Sequence, residues 1–151
     1  MSYDSTEDTT EHIKNVGMFM QEFIAEIIYR QFHHDDSKLE FPEKEIYDEF
    51  TPKLRDLTYG SPEYKECLLA MGPALQHHYD VNRHHPEHFE NGVNGMTLID
   101  LIEMLADWKA AGMRHANGNM AESLEINRKR FGMSDQLYEV FMNTVREMGW
   151  L

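Results

Sequence analysis

Between residues 13 and 32, apolar side chains recur three and four positions apart: Ile13, Val16, Met20, Phe23, Ile24, Ile27, Ile28 and Phe32. Side chains with that spacing share one face of an α-helix, and no proline interrupts the run. The pattern predicts a long amphipathic helix beginning near residue 11, with its apolar face packed in a core. Thr9 and Thr10 offer an N-cap behind a frayed acidic tail.

The remaining chain continues in short helical segments. Pro42 and Pro52 bracket a helix over residues 43–50, and Tyr59-Gly60-Ser61-Pro62 reads as a turn with Pro62 at the first helical position. The next helix carries Tyr64, Leu68, Leu69 and Met71, is interrupted or kinked at Gly72-Pro73, and resumes over residues 74–83. Residues 92–95 form a turn. Three further helices are predicted over 96–111, 121–131 and 134–148, the last capped by Ser134. There is no strand alternation, internal repeat or low-complexity linker, so the fold class is all-α with about six helices. A chain of 151 residues is about one domain long. Residues 1–10 read as a flexible acidic tail and 11–151 as a single helical domain.

Charge and cysteine content narrow the function classes. A formal charge of -13 opposes binding to a polynucleotide, whose affinity rests on Lys and Arg. It still admits a small phosphorylated substrate, because bound divalent cations reverse the local field. The single cysteine, Cys67, excludes an internal disulfide and a Cys-rich zinc site, which fits a reducing cytoplasm. An acidic N-terminus and the lack of a long apolar run argue against secretion and membrane insertion.

Histidine supplies the positive signal. Five of the nine histidines fall within residues 77–88, beside Asp80, Asn82 and Glu87, and two more stand in His33-His34-Asp35-Asp36. Neutral imidazoles with carboxylates suit Zn, Mn, Fe, Ni or Mg, whereas a solvated set of surface histidines is the bland alternative. Helical spacing puts His78 and Asn82 on one face and turns His77 about 100° away. Pro86 disfavours helical geometry at His85, so 84–88 reads as a loop in which His85 or His88 can turn back toward His78. His78 and His85 are the favoured pair. Asp100, Glu103 and Asp107 recur on one helix, and Asp107, between Ala106 and Trp108, is the acid best suited to a metal. Arg128 and Arg130 read as solvated scaffold residues.

The order His12, His34-Asp35, His78, His84-His85 and Asp107, the last within Ile102-Glu103-Met104-Leu105-Ala106-Asp107-Trp108, resembles the HD superfamily of metal-dependent phosphohydrolases. The segment His34-Asp35-Asp36-Ser37-Lys38, with Pro42-Glu43, is similar to the His-Asp-x-Gly-Lys stretch of HD-GYP-type members, although the GYP signature itself is lacking. His-His-Pro-Glu-His-Phe and Glu-Met-Leu-Ala-Asp-Trp-Lys-Ala-Ala also resemble a family of small uncharacterised bacterial and phage proteins. The superfamily resemblance covers nearly the whole helical region.

It implies a compact HD-like bundle holding one or two divalent ions, among Mn, Fe, Co, Ni, Zn and Mg. His12, His34, Asp35 and Asp107 would bind the first ion, and His78 and His85 would serve two-metal branches. Asp35, Lys38 and His78 are the implied catalytic residues. Lys38, Asn82 and Arg83 would bind a small phosphorylated substrate, most often a nucleotide, inside a bacterial or phage-infected cell. Dimerisation is a family-level expectation. The same ligands would serve a di-iron oxygenase or a non-enzymatic metal-binding protein as alternatives. One physical objection concerns His12, because an unbroken helix over residues 12–32 would separate its ends by ~30 Å.

Overall fold

The computed structural model describes residues 3–58, 60–114 and 118–151. Met1 and Ser2 of the expected tail, and Tyr59 of the expected turn before Pro62, lie outside the described residues. Among the described residues the fold is all-α, with six α-helices, three short 3-10 turns and no strand. No helix among them is long and apolar enough to cross a membrane. The chain divides into two compact units, Met1–His34 and Asp35–Leu151.

The first unit is one helix, α1 (Thr6–His33). It begins at Thr6 rather than near residue 11, because Asp4 Oδ1 accepts bonds from the Thr6 amide at 3.0 Å and the Thr6 hydroxyl at 2.7 Å. Glu7 and Asp8 then complement the positive end of the helix dipole. None of its residues is buried, so the helix's own unit does not supply the core in which its apolar stripe was expected to pack. A lone helix has no surface of its own against which to bury that stripe. The helix is also unbroken. His12 and His34 are therefore about 33 Å apart along its axis, and His12 is ruled out as a ligand shared with His34 in one chain.

In the second unit a 3-10 turn (Asp36–Leu39) leads into α2 (Glu43–Arg55). This helix runs through Pro52, where an end was expected. Proline there removes only the bond to the carbonyl of Asp48, an exposed residue that water can satisfy. Next comes α3 (Pro62–Val81), with Ser61 Oγ accepting from the Tyr64 amide at 3.1 Å and Pro62 in the first turn as expected. The expected interruption lies at Gly72, whose φ of 46° and ψ of -119° are open to glycine and strained for other residues. Two more 3-10 turns (Pro86–His88 and Gly92–Gly95) connect to α4 (Leu98–Gly112), which opens with a capping box between Thr97 and Asp100.

Helices α5 (Met120–Phe131) and α6 (Asp135–Glu147) complete the unit. Between them Gly132, at φ 60°, takes the left-handed C-cap that lets the Met133 amide return to the Arg128 carbonyl at 3.0 Å. The core joins α4, α5 and α6 through Met104, Leu105, Leu124, Phe141 and Val145. Trp108 stacks parallel to Phe131 and meets Phe141 edge-on, with centroids 6.1 and 6.2 Å apart. That packing seats α4 in the core, and α4 is the element that carries Glu103 and Asp107.

Candidate metal centre

The centre is built from four places in the second unit. Asp35 precedes the first 3-10 turn in the left-handed region (φ 61°), the sole non-glycine residue with positive φ among those described. Aspartate tolerates that conformation better than most residues, and such outliers concentrate at functional sites. It stands at the N-cap position yet makes no side-chain cap bond. Instead Oδ1 lies 3.4 Å from His78 Nε2 and 3.5 Å from His84 Nε2, while Oδ2 lies 2.5 Å from Lys38 Nζ.

The histidines arrive from α3 and the loop after it. His78 is on the half of α3 that follows the Gly72 kink, and His84 and His85 come just beyond the helix end. Pro86 holds His85 extended (φ -99°, ψ 128°), which turns its ring back so that Nε2 is 2.8 Å from His78 Nε2. Asp35, His78, His84 and His85 each offer one donor atom, and the four atoms lie within 4.8 Å of one another. His78 and His84 are both 1% exposed. This set of residues can hold a metal ion. On α4, Asp107 brings a carboxylate oxygen within 4.8 Å of one from Asp35.

Two glutamates orient the rings from outside the set. Glu43, at the start of α2 and fully buried, places Oε2 2.9 Å from His78 Nδ1 and Oε1 2.7 Å from His77 Nδ1. Glu103 Oε1 lies 3.2 Å from His84 Nδ1. A neutral ring that donates Nδ1–H to a carboxylate presents its Nε2 lone pair on the opposite side, which is the usual way a metal-binding imidazole is aimed. Asn82 Nδ2 also packs on the Nδ1 side of His78, donating to Ser37 Oγ at 2.8 Å and to the His78 carbonyl at 2.9 Å.

Electrostatics keep two of the rings neutral. Burial, and then the Lys38 charge, push His78 down to about 4, against the opposing pull of Asp35 and Glu43. Burial, reinforced by His84 and His78, lowers His85 to about 2, with Asp107 opposing. At neutral pH both rings are therefore unprotonated and can donate lone pairs. Three imidazole nitrogens and one carboxylate oxygen suit Zn, Fe, Mn, Co or Ni better than Mg, which prefers an all-oxygen shell.

The sequence-predicted residues separate accordingly. Asp35, His78 and His85 come together, Asp107 stands beside Asp35, and Lys38 lies against the set. His34 ends the first unit, one peptide bond before Asp35. His12 is far along α1. Among the other histidines of the cluster, His88 Nδ1 turns away to the Tyr79 carbonyl at 3.1 Å, and His77 is engaged by Glu43. Arg83, expected to bind substrate, forms a fork with Asp100 at 3.1 and 3.0 Å. Its guanidinium also covers the Phe89 ring at 4.9 Å. Asp100 is thereby removed from the acidic ligand candidates. Its burial raises the carboxyl pKa, but the bonds from Arg83 and Thr97 outweigh that and hold it below the usual range. Glu43 entered the sequence reading only beside Pro42 in the resembling segment and was given no role, since a glutamate following a proline carries no local mark of a role 34 residues onward. His84 stood within the predicted loop but behind His85, whose neighbouring proline drew the inference.

No curated protein and no solved structure shows significant similarity to the chain. Residues 1–147 match the family described as "Family of unknown function (DUF5662)". That match spans both units, and the chain, with its cluster of three histidines and an aspartate, belongs to the DUF5662 family.

Proposed function

We propose that this protein is an HD-type metal-dependent phosphohydrolase acting on a small phosphorylated substrate, with nucleotides the favoured class, in the cytoplasm. The observation that carries the reading is the convergence of Asp35, His78, His84 and His85 beside the ammonium of Lys38. A divalent ion held there would stabilise charge on a phosphoryl oxygen and acidify a water for attack on phosphorus. The chain's own residues divide the remaining work. Asp35 joins the donor set and Lys38 into one unit, so a phosphate oxygen drawn to Lys38 Nζ is held next to the donor set. Asp107 extends the carboxylate edge toward a second ion.

Because His78 and His85 are held neutral, they serve as ligands rather than as acids toward a leaving group. Glu43 and Glu103 fix the rings in register, and the buried position of the cluster limits competing water. The test is phosphate release from a nucleotide panel with Mn, Fe, Co, Ni, Zn and Mg supplied separately, for the natural protein and for Asp35→Ala and Lys38→Met. The expected result is turnover with at least one transition metal, lost in Asp35→Ala and weakened in KM by Lys38→Met. Absence of phosphate release with every metal would overturn the reading, and oxygen-dependent turnover with iron would assign the site to oxidation instead.

A further inference from the structure

We infer that Lys38 sets the metal count of this centre. Its ammonium is a tethered cation standing at the second oxygen of Asp35, so the centre takes one ion and admits another only in competition with Lys38. The inference rests on the metal reading of the site and not on hydrolysis.

The first observation is how Asp35 divides its two oxygens. Oδ1 faces His78 Nε2 at 3.4 Å and His84 Nε2 at 3.5 Å, while Oδ2 accepts from Lys38 Nζ at 2.5 Å. A carboxylate that bridges two metal ions gives one oxygen to each. Here the imidazoles gather on the side of one oxygen, and a positive charge of the chain's own holds the other. Asp107 offers a second ion a carboxylate oxygen within 4.8 Å of one from Asp35. To use both acids, that ion would have to displace the ammonium or stand beside it, and like charges repel strongly in a site shielded from water.

The second observation is that the lysine is built into place. Its amide donates to the Asp35 carbonyl at 2.9 Å, which closes the 3-10 turn after Asp35 and starts the tether one turn from the carboxylate. From α2, the Tyr47 ring lies under the ammonium with its centroid 5.0 Å away, and the same ring meets His78 edge-on at 5.7 Å. An aromatic face attracts a cation, so the ammonium is held from two elements. The side chains of Lys38 and Asp35 are only 27% and 19% exposed. The pairs Lys44–Asp48 and Lys53–Glu49, by contrast, have side chains half exposed or more and are ordinary solvated ion pairs.

The experiment uses the full chain, stripped with chelator and dialysed to equilibrium against manganese(II) alone. Bound metal is counted by plasma emission, and neighbouring ions are detected by electron paramagnetic resonance. The natural protein and Lys38→Arg, which keeps the charge, should saturate at one ion per chain with an uncoupled signal. Lys38→Met and Lys38→Gln remove the charge with two different side chains. Both should bind a second ion roughly tenfold or more tightly than the natural protein does, and show the exchange-coupled spectrum of two adjacent ions. Adding Asp107→Asn to Lys38→Met should return it to one ion, which distinguishes a second ion at the carboxylates from one at other histidines. A coupled pair in the natural protein, or a single ion in both charge-removing variants while circular dichroism shows them helical, would overturn the inference and leave the metal centre standing. Manganese absent from the natural protein would overturn it together with the metal reading.

Discussion

The two units of this protein use their side chains in opposite ways. In α1, regular spacing produces a continuous apolar face and not one buried residue; in the second unit, irregular segments bring Asp35, His78, His84 and His85 within 4.8 Å. Periodicity is a statement about one element and its need for a partner. Chemistry here comes from the breaks in periodicity: a left-handed Asp35, a kink at Gly72 and an extended His85 before Pro86. A helix can be read from spacing alone, whereas a site depends on where several helices stop.

That contrast can be broken by substitution, and the largest effect belongs to the convergent side. Asp35→Ala removes the residue that touches both His78 and Lys38. Metal loading should be lost and phosphate release should fall about 10²- to 10³-fold, measured by atomic emission and a coupled phosphate assay. Normal metal content in that variant would detach the cluster from metal binding.

Acid should act on the same rings. The folded state holds His78 at about 4 against an ordinary 6.5, so between those values the unfolded chain binds more protons. Stability then rises with pH through that window and is lost as pH falls from about 6.5 toward 4. The loss for His78 is on the order of 3 kcal/mol. Urea unfolding of chelator-treated protein at pH 7.5, 5.5 and 4.5, values spanning about the range of that titration, reads it directly. A flat profile would mean that the rings are not buried as described.

Smaller effects separate orienting from structural residues. Glu43→Gln keeps the volume but removes the charge facing His77 and His78, and should weaken metal affinity about 10- to 100-fold. Arg83→Ala breaks the fork to Asp100 and should cost about 1–3 kcal/mol of stability, with metal content and KM unchanged. A raised KM with normal stability would return Arg83 to the substrate. Smallest of all, His12→Ala should leave metal content and turnover unaltered, as its place along α1 requires.

Much of the fold was legible beforehand, for physical reasons that apply residue by residue. Pro62 behind Ser61, Gly72-Pro73 and Ser134 are local signals, and the structure uses each of them locally. Pro52 misled because a proline in an exposed helix loses only one bond to a carbonyl that water reaches. The site was legible as far as residue types go: Asp35, His78 and His85 could be singled out by adjacency, helical spacing and the proline rule. Glu43 could not, because its role arises from α2 packing on α3, an interaction that leaves no trace in either segment. The pairing of Arg83 was illegible for the same reason, since its partner Asp100 lies 17 residues away on another element.

The central claim is that Asp35, His78, His84 and His85 together hold a metal ion. The most direct measurement is metal stoichiometry by inductively coupled plasma emission on purified natural protein, His84→Ala and His88→Ala, each stripped with chelator and reloaded with the same metal. His84 lies inside the set, and His88, only four residues on, turns away to the Tyr79 carbonyl. The account predicts at least one ion per chain in the natural protein and in His88→Ala, and a loss in His84→Ala while its circular dichroism stays helical. Equal metal content in all three proteins, or none in any, would contradict it.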